Sequence, residues 1–180
     1  MKQTTSLLFS VKAALEQSIQ QRNLLFQQPL QNNQITEYQL VPPAVHIGFI
    51  PFGSMAAAQS VRIPCLVIGA SRADFTNESS EVVMQITAVI YDPGHQEYLD
   101  GSSQLQIQPN FDGYQTLLNL LDAVRAELLR CSIIADEFEL TSPVRLTPYE
   151  EQPWPYWYGC LEFTVAGAPY PQTDYAEFLR

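Results

Sequence analysis

The stretch EVVMQITAVIY, residues 81–91, alternates apolar with more polar side chains and therefore predicts a β-strand. Its even-numbered positions are all apolar, namely Val82, Met84, Ile86, Ala88 and Ile90. The odd-numbered positions include Gln85 and Thr87, so we expect one face of this strand on a core and the other face only partly covered. No other segment carries a clearer strand signal.

The segment DGYQTLLNLLDAVRAELLR, residues 112–130, gives the clearest helix signal. Its apolar side chains recur at steps of three and four and form one stripe: Tyr114, Leu117, Leu121, Val124 and Leu128, widened by Leu118 and Leu120. Asp112 followed by Gln115 resembles a capping box, in which each side chain bonds a free backbone amide of the first turn. The pattern predicts an amphipathic helix with a dense buried face.

A second helix is predicted over about residues 5–26, where Leu8, Val11, Leu15 and Ile19 follow the same spacing. Its stripe is thinner, so we expect shallower packing, and Pro29 in the polar run 27–33 is expected to end it. Shorter strands are predicted at 35–41, 62–69, 138–140, 144–147 and 158–165. A polar loop is predicted over 72–80, and a long loop over 44–60 is predicted to contain one short extended piece at about 45–50.

The order of these elements predicts the fold class. Asp100-Gly101 lies between two short alternating runs, which indicates a hairpin within an insertion at 92–110. One helix, several strands, a second helix and more strands then favour a single α+β domain over residues 1–180. In it, two α-helices would pack on one face of a β-sheet that is mostly antiparallel, or mixed.

Composition and charge exclude several classes of protein. The chain has 180 residues, of which 46% are apolar and 16% are charged. This composition is too apolar and too weakly charged for an intrinsically disordered protein. No run of 18 apolar residues occurs, so we expect no membrane partner. Residues 1–72 hold five basic and two acidic side chains, a net charge of +3. Residues 73–180 hold four basic and seventeen acidic ones, a net charge of −13, so the net charge of the whole chain is −10. Without a basic stripe, direct nucleic-acid binding is not expected.

Groups that could support catalysis are few. His46 and His95 lack a second metal ligand at the usual spacing, and no CxxC, HExxH, GxSxG or GxGxxG pattern occurs.

The pair Glu137/Glu139 is expected to be the solvated side of a short strand. The three cysteines are expected to be reduced and mostly buried: Cys65, Cys131 and Cys160. A catalytic Cys–His pair stays an open alternative, because the two residues of such a pair can be distant in sequence and close in the folded protein. We expect no metal, no cofactor and no enzymatic activity.

Residues 147–159, TPYEEQPWPYWYG, hold three prolines, five aromatic residues and both tryptophans of the chain. Because each proline restrains the residue before it to extended geometry, we expect a stiff segment that stands off the core. Two interpretations remain open: its rings cap one end of the sheet, or they form a preordered contact surface for another protein. The candidate contact residues are Glu150, Glu151, Trp154, Tyr156 and Trp157.

The run EEQPWPYWYG at 150–159, followed by a strand with Leu161 and Phe163, resembles the C-terminal signature of bacteriophage tail terminator (tail completion) proteins. The resemblance continues upstream through short stretches that together cover about residues 61–166: Ile90-Tyr91-Asp92, GYQTLLNLL at 113–121, Val124-Arg125, Leu128-Leu129 and Phe138-Glu139-Leu140. The stretch 92–110 is longer than the usual connection of that family.

The resemblance implies a structural role in the virion of a long-tailed phage or prophage. Such proteins share an α/β fold with helices on one sheet face and form a ring, usually of six subunits, at the head-proximal end of the tail tube. The ring stops tube polymerisation and receives the head connector. The implied partners are further copies of the chain, the major tail tube protein and the head–tail connector. The implied locations are the host cytoplasm during assembly and then the virion.

Two other functions stay open from sequence. The first is a head–tail connector or head-completion protein of the neck. The second belongs to a different class: a cytosolic enzyme or small-ligand binder that uses residues 154–157 as a pocket wall.

Overall fold

The structure of the chain, a computed structural model, describes residues 3–29, 38–48, 62–76, 79–98, 105–108, 111–130, 133–134, 138–141 and 143–167. Its elements in chain order are α1 (Gln3–Arg22), β1 (Phe26–Pro29), β2 (Tyr38–Val41), β3 (Ala44–Ile47), β4 (Cys65–Phe75), β5 (Ser80–Tyr91), β6 (His95–Tyr98), β7 (Leu105–Gln108), α2 (Asp112–Arg130), β8 (Ile133–Ile134), β9 (Phe138–Leu140), β10 (Arg145–Pro148) and β11 (Tyr156–Gly167).

One sheet dominates the fold, with strand order β3-β4-β5-β11-β9-β8. Strand β10 pairs with residues 159–162 of β11, on the same edge of β11 where β9 pairs with residues 165–167. All its pairings are antiparallel except β3 with β4, which run parallel. Two small antiparallel pairs, β1 with β2 and β6 with β7, lie apart from this sheet. The α+β class with a mostly antiparallel sheet is therefore confirmed.

The centre of the sheet is the pairing of β5 with β11, which runs without interruption from Tyr156 opposite Tyr91 to Gly167 opposite Ser80. As predicted, the even-numbered side chains of β5 from Val82 to Ile90 enter the core. Those of β11 that enter it are Trp157, Leu161, Phe163 and Val165. Because side chains alternate across a strand, this register assigns every residue of both strands to the helix side or to the outer side of the sheet.

Both helices pack on the same side of the sheet and share one core. Their buried apolar residues are Leu7, Val11, Leu15 and Ile19 from α1 and Leu117, Leu120, Leu121, Val124 and Leu128 from α2. None of these side chains is more than 4% exposed, so the expectation that α1 packs more shallowly is wrong. Tyr114 was expected in the α2 stripe, but it is exposed in the first turn, where Gly113 faces the core instead.

The first helix ends earlier than predicted, at Arg22 rather than near residue 26. Asn23 has a φ of 50°, its N–H bonds the carbonyl of Gln20, and the N–H of Leu24 bonds the carbonyl of Ile19. This is a Schellman ending, which satisfies the last carbonyls of the helix. Local capping therefore ends α1, whereas Pro29 closes the strand β1 that follows.

The polar loop predicted at 72–80 is also wrong, because β4 continues to Phe75 and β5 begins at Ser80. All side chains from Ala70 to Phe75 are exposed, so they show no alternation that would reveal a strand. Backbone pairing with β5 holds this part of β4, with a register shift between Ala70 and Arg72. The N–H of Thr76 closes the turn on the carbonyl of Ser79 at 2.8 Å.

The remaining strand predictions are met in part. The strands flanking Asp100-Gly101 form the antiparallel pair β6–β7, and the two turn residues themselves lie outside the described residues. The extended piece predicted at about 45–50 within the 44–60 loop corresponds to β3 over Ala44–Ile47, and positions 49–60 are outside the described part. The strand predicted at 35–41 is β2 over Tyr38–Val41.

A buried carboxylate joins the two helices near their C-terminal ends. Glu127 of α2 is only 5% exposed, and its Oε2 lies 3.4 Å from Nη2 of Arg22 and 3.2 Å from Nε of Arg130. A carboxylate this deep in a fold requires hydrogen-bonded cationic partners. The apolar stripe of α2 gave no sign of this contact.

We expect Leu121→Ala and Leu15→Ala each to lower the free energy of unfolding by about 2–5 kcal/mol, because each leaves a cavity in the shared core. Denaturant titration of both variants, with exposed Ala13→Ser on α1 as the control, measures this. A much smaller loss for Leu15→Ala would mean that α1 contributes less to the core than its burial indicates.

Candidate functional site

The aromatic segment is divided between a strand and a loop. Residues from Tyr156 onward belong to β11, and residues 149–155 form the loop that joins β10 to β11, here named the Trp154 loop. The expectation that the whole segment stands off the core is therefore wrong for positions 156–159.

The side chain of Gln152 stabilises the Trp154 loop by hydrogen bonds to its backbone and to the backbone of β11. Its Nε2 donates to the carbonyls of Tyr149 at 2.7 Å and Tyr158 at 2.9 Å, and its Oε1 accepts from the N–H of Tyr158 at 2.6 Å. The N–H of Tyr149 also bonds the carbonyl of Tyr158 at 3.1 Å. One side chain thus satisfies three backbone groups, so the loop is ordered before it meets any partner.

Both tryptophans bond to the chain segment that follows β5. Nε1 of Trp157 donates to the carbonyl of Asp92 at 3.1 Å, and Nε1 of Trp154 donates to the carbonyl of Pro93 at 3.3 Å. In return, the N–H of Asp92 donates to the carbonyl of Pro155 at 2.9 Å. These bonds fix the Trp154 loop to the point where the chain leaves the sheet toward β6.

The five candidate contact residues have different positions. Glu150, Glu151 and Trp154 are exposed, with Trp154 at 45%, and Tyr156 is half-buried. Trp157 is a correction: it is 8% exposed and belongs to the core between the sheet and α2. It faces the helix side because it is one residue out of phase with Tyr156 on the same strand.

Four tyrosines collect on the outer side of the sheet beside this loop, and we name Tyr91, Tyr149, Tyr156 and Tyr158 the tyrosine patch. The rings of Tyr91 and Tyr156 meet edge to face with centroids 5.6 Å apart. Those of Tyr149 and Tyr158 are stacked with centroids 6.2 Å apart. Tyrosine pairs of this kind give large contact area at low entropic cost.

The patch lies over a small second apolar cluster made of Cys65, Val67 and Val89, against which Tyr158 packs. Burial raises the pKa of the Cys65 thiol to about 12, so at neutral pH this buried thiol is protonated and packs as an apolar side chain. Burial, with smaller contributions from Tyr156 and Asp92, raises the pKa of Tyr91 to about 12. Burial also raises the pKa values of Tyr156 and Tyr158.

Two more exposed aromatic residues, Phe111 and Tyr114, lie at the same end of the molecule. They flank Gly113, whose Cα approaches the indole of Trp157 so closely that an added Cβ would overlap the ring nitrogen. Since Trp157 is bonded to Asp92 and Trp154 to Pro93, the start of α2 and the Trp154 loop meet at one junction.

The other candidate groups form no site in the described ranges. No set of three or more His, Cys, Asp or Glu side chains that could hold a metal occurs there. His46 is half-buried on β3 and its Nε2 has no hydrogen-bond partner among described residues, and Cys160 is half-buried on β11. Glu139 is exposed on β9. The side chains of His95, Cys131 and Glu137 lie outside the described part.

A cavity of about 100 Å³ lies away from the patch and is lined by Pro143, Arg145, Glu162, Phe163 and Thr164. Pockets for drug-sized ligands are usually about 300–1,000 Å³. None of the five candidate contact residues lines this cavity, so it does not support a pocket walled by residues 154–157.

Neither the known family models nor the curated proteins give a match to this chain. No helix within the described residues is long and apolar enough to cross a membrane.

Sequence reasoning found the tryptophans and missed most of the tyrosine patch. Tyr91 closes the strand 81–91, and only the register with β11 brings it opposite Tyr156. No sequence pattern indicates the role of Gln152, because its three hydrogen bonds depend on the conformation of the loop. A signal was present for Tyr149 and Tyr158, since both lie in the aromatic-rich stretch, but their stacking depends on the β10–β11 pairing.

We expect Gly113→Ala to destabilise the protein, although alanine ordinarily favours a helix over glycine by about 1 kcal/mol. The added methyl group would displace the Trp157 indole and weaken its bond to Asp92, at a cost of about 1–3 kcal/mol. Urea titration, with exposed Asn119→Ala on α2 as the control, measures the difference. A stabilised Gly113→Ala variant would contradict this packing.

Tyr91 should make stability depend on alkaline pH. Its pKa is raised from 10.0 to about 12, so folding keeps the phenol protonated where the unfolded chain ionises it. The resulting stabilisation is complete below pH 10 and is lost as the pH rises through about 12. We expect Tyr91→Phe to reduce the fall in unfolding free energy between those pH values, measured by urea titration. Exposed Tyr114→Phe is the control, and equal slopes for Tyr91→Phe and the unaltered protein would contradict the assignment.

Proposed function

We propose that this chain is a virion assembly protein of the tail terminator type. As a ring of identical subunits it caps the head-proximal end of the tail tube of a long-tailed phage or prophage. It stops tube polymerisation there and offers a docking surface to the head connector. Its partners are other copies of itself, the tube protein and the connector, and it carries out no catalysis.

The observation that carries the proposal is the state of the Trp154 loop. This loop belongs to the stretch with the strongest family resemblance, and its tip residue Trp154 is exposed at 45%. An exposed tryptophan is expected to be mobile unless the backbone around it is held, and here Gln152 and Pro93 hold it. Fixed, exposed aromatic residues are typical of protein–protein contacts.

The layer arrangement supports the same function. Both helices cover one side of the sheet, so the tyrosine patch on the outer side is not covered by either of them. Phe111 and Tyr114 extend the exposed aromatic area beside the start of α2. A surface built mainly of aromatic rings and backbone suits contact with another folded protein better than binding of a small molecule.

Charge provides a means for identical subunits to meet. Residues 1–72 carry a net charge of +3 and residues 73–180 a net charge of −13. We expect acidic residues of one subunit to face basic residues of the next, and such head-to-tail contacts close into a ring when the rotation permits. Exposed charge pairs of this kind are screened over about 8–10 Å at physiological salt.

We expect the purified protein to form a defined ring oligomer or to bind isolated tail tubes, seen by light scattering and negative-stain electron microscopy. Because charge contacts contribute, the oligomer should weaken at about 1 M salt. Trp154→Ala should reduce ring formation or tube binding, and the fold should remain, because this side chain is exposed.

The matched control is Phe9→Ala, an exposed aromatic residue of α1. Trp157→Ala is not a suitable test, since removal of this core side chain unfolds or loosens the protein. A chain that stays monomeric at high concentration and ignores tail tubes would contradict the proposed function.

A further inference from the structure

We infer that the tyrosine patch together with the Trp154 loop is a docking site for an arginine-bearing segment of a protein partner. This inference deepens the proposed function by naming the chemistry that this surface recognises. The inference rests on the proposed function in one respect, namely that this surface contacts another protein. The occupant is defined by its exposed arginine, and a second copy of this chain is one protein that could supply it.

The aromatic rings provide the first argument. Trp154 is exposed, and Tyr149, Tyr156 and Tyr158 are half-buried, so each offers part of its ring to a partner. The guanidinium group is planar and stacks on such rings, and the attraction of a cation to a Trp or Tyr face contributes about 0.5–2 kcal/mol.

Charge provides the second argument. Three carboxylates lie at this end of the molecule: Asp92, Glu150 and Glu151. The basic side chain among the described residues nearest to this end in the sheet register is Arg62, three positions before β4, so these four residues together carry two negative charges. Glu150 and Glu151 form no ion pair with any described residue. The surface is thus complementary to a cationic partner.

The order of the site provides the third argument. Gln152 fixes the backbone between the Tyr149–Tyr158 stack and Trp154, so little flexibility is lost on binding. Tyr91 is the buried member of the patch, at 4% exposed, and its hydroxyl has no hydrogen-bond partner within the described ranges. A buried hydroxyl without a partner is unusual, and its oxygen can accept a hydrogen bond from a guanidinium group, which carries only donors.

Arginine fits this set better than other cationic or charged ligands. A lysine ammonium is compact and strongly hydrated and gains less from ring faces, whereas a guanidinium can stack on Trp154 and bond a carboxylate through its edge. Nucleic acids and anionic membranes present phosphate groups, which the carboxylates of this surface repel.

The test uses a fluorescein-labelled peptide of alternating arginine and proline, with matched lysine–proline and glutamate–proline peptides, in anisotropy titrations against the full chain. Proline keeps the probes extended, so they differ only in the charged side chain. We expect the arginine peptide to bind about fivefold more tightly than the lysine peptide, and the glutamate peptide not to bind.

Variants locate the binding. Trp154→Ala should weaken binding of the arginine peptide about fivefold, and Glu150→Gln combined with Glu151→Gln should weaken it by a similar factor. The controls are Phe9→Ala for the ring and Glu81→Gln for the charge, since both residues are exposed and Glu81 lies at the opposite end of β5. Circular dichroism and thermal unfolding establish that each variant is folded.

Equal affinity for the arginine and lysine peptides would overturn the inference, as would a Trp154→Ala variant that binds unchanged or a control that weakens binding equally. Binding of anionic vesicles or single-stranded nucleic acid in place of the peptide would also overturn it. If the chain binds the arginine peptide as expected but forms no ring and ignores tail tubes, the proposed function fails and the docking site stands.

Discussion

The structure depends on one constraint, the uninterrupted antiparallel pairing of β5 with β11. Twelve residues of each strand are in register, so a slip by one position would move every side chain of either strand to the other side of the sheet. With this register, Ile86 and Leu161 are opposite each other under the helices. The same register brings Tyr91 opposite Tyr156 on the outer side, so the core and the tyrosine patch have a common cause.

The two tryptophans lie three positions apart and have different environments, one in the core and one exposed. Trp157 is the second residue of β11 and faces the helices, where Gly113 leaves room for its ring. Trp154 lies before the strand begins and remains exposed, yet it bonds to the same chain segment after β5. The Trp154 loop is therefore attached to the core by the indole and backbone hydrogen bonds at Asp92 and Pro93.

Electrostatics has different roles in the interior and on the surface. Inside, Glu127 is held between Arg22 and Arg130 and ties the C-terminal ends of the helices together. On the surface, Glu150 and Glu151 form no ion pair with any described residue, so their negative charge is exposed to solvent. Exposed carboxylates contribute little to stability but strongly influence which partners approach. The acidic excess of residues 73–180 thus contributes little to the stability of the fold.

The sequence by itself determined the long strand at 81–91, the helix at 112–130 and the α+β class, because each element repeats its local period over many residues. It also singled out the tryptophan-containing segment by composition. Only the tertiary structure decided the end of α1 at Asn23, the length of β4, the burial of Trp157, the role of Gln152 and the grouping of the four tyrosines. These depend on cap geometry and on pairing between strands distant in sequence, and a local pattern of apolar and polar residues carries no information about either.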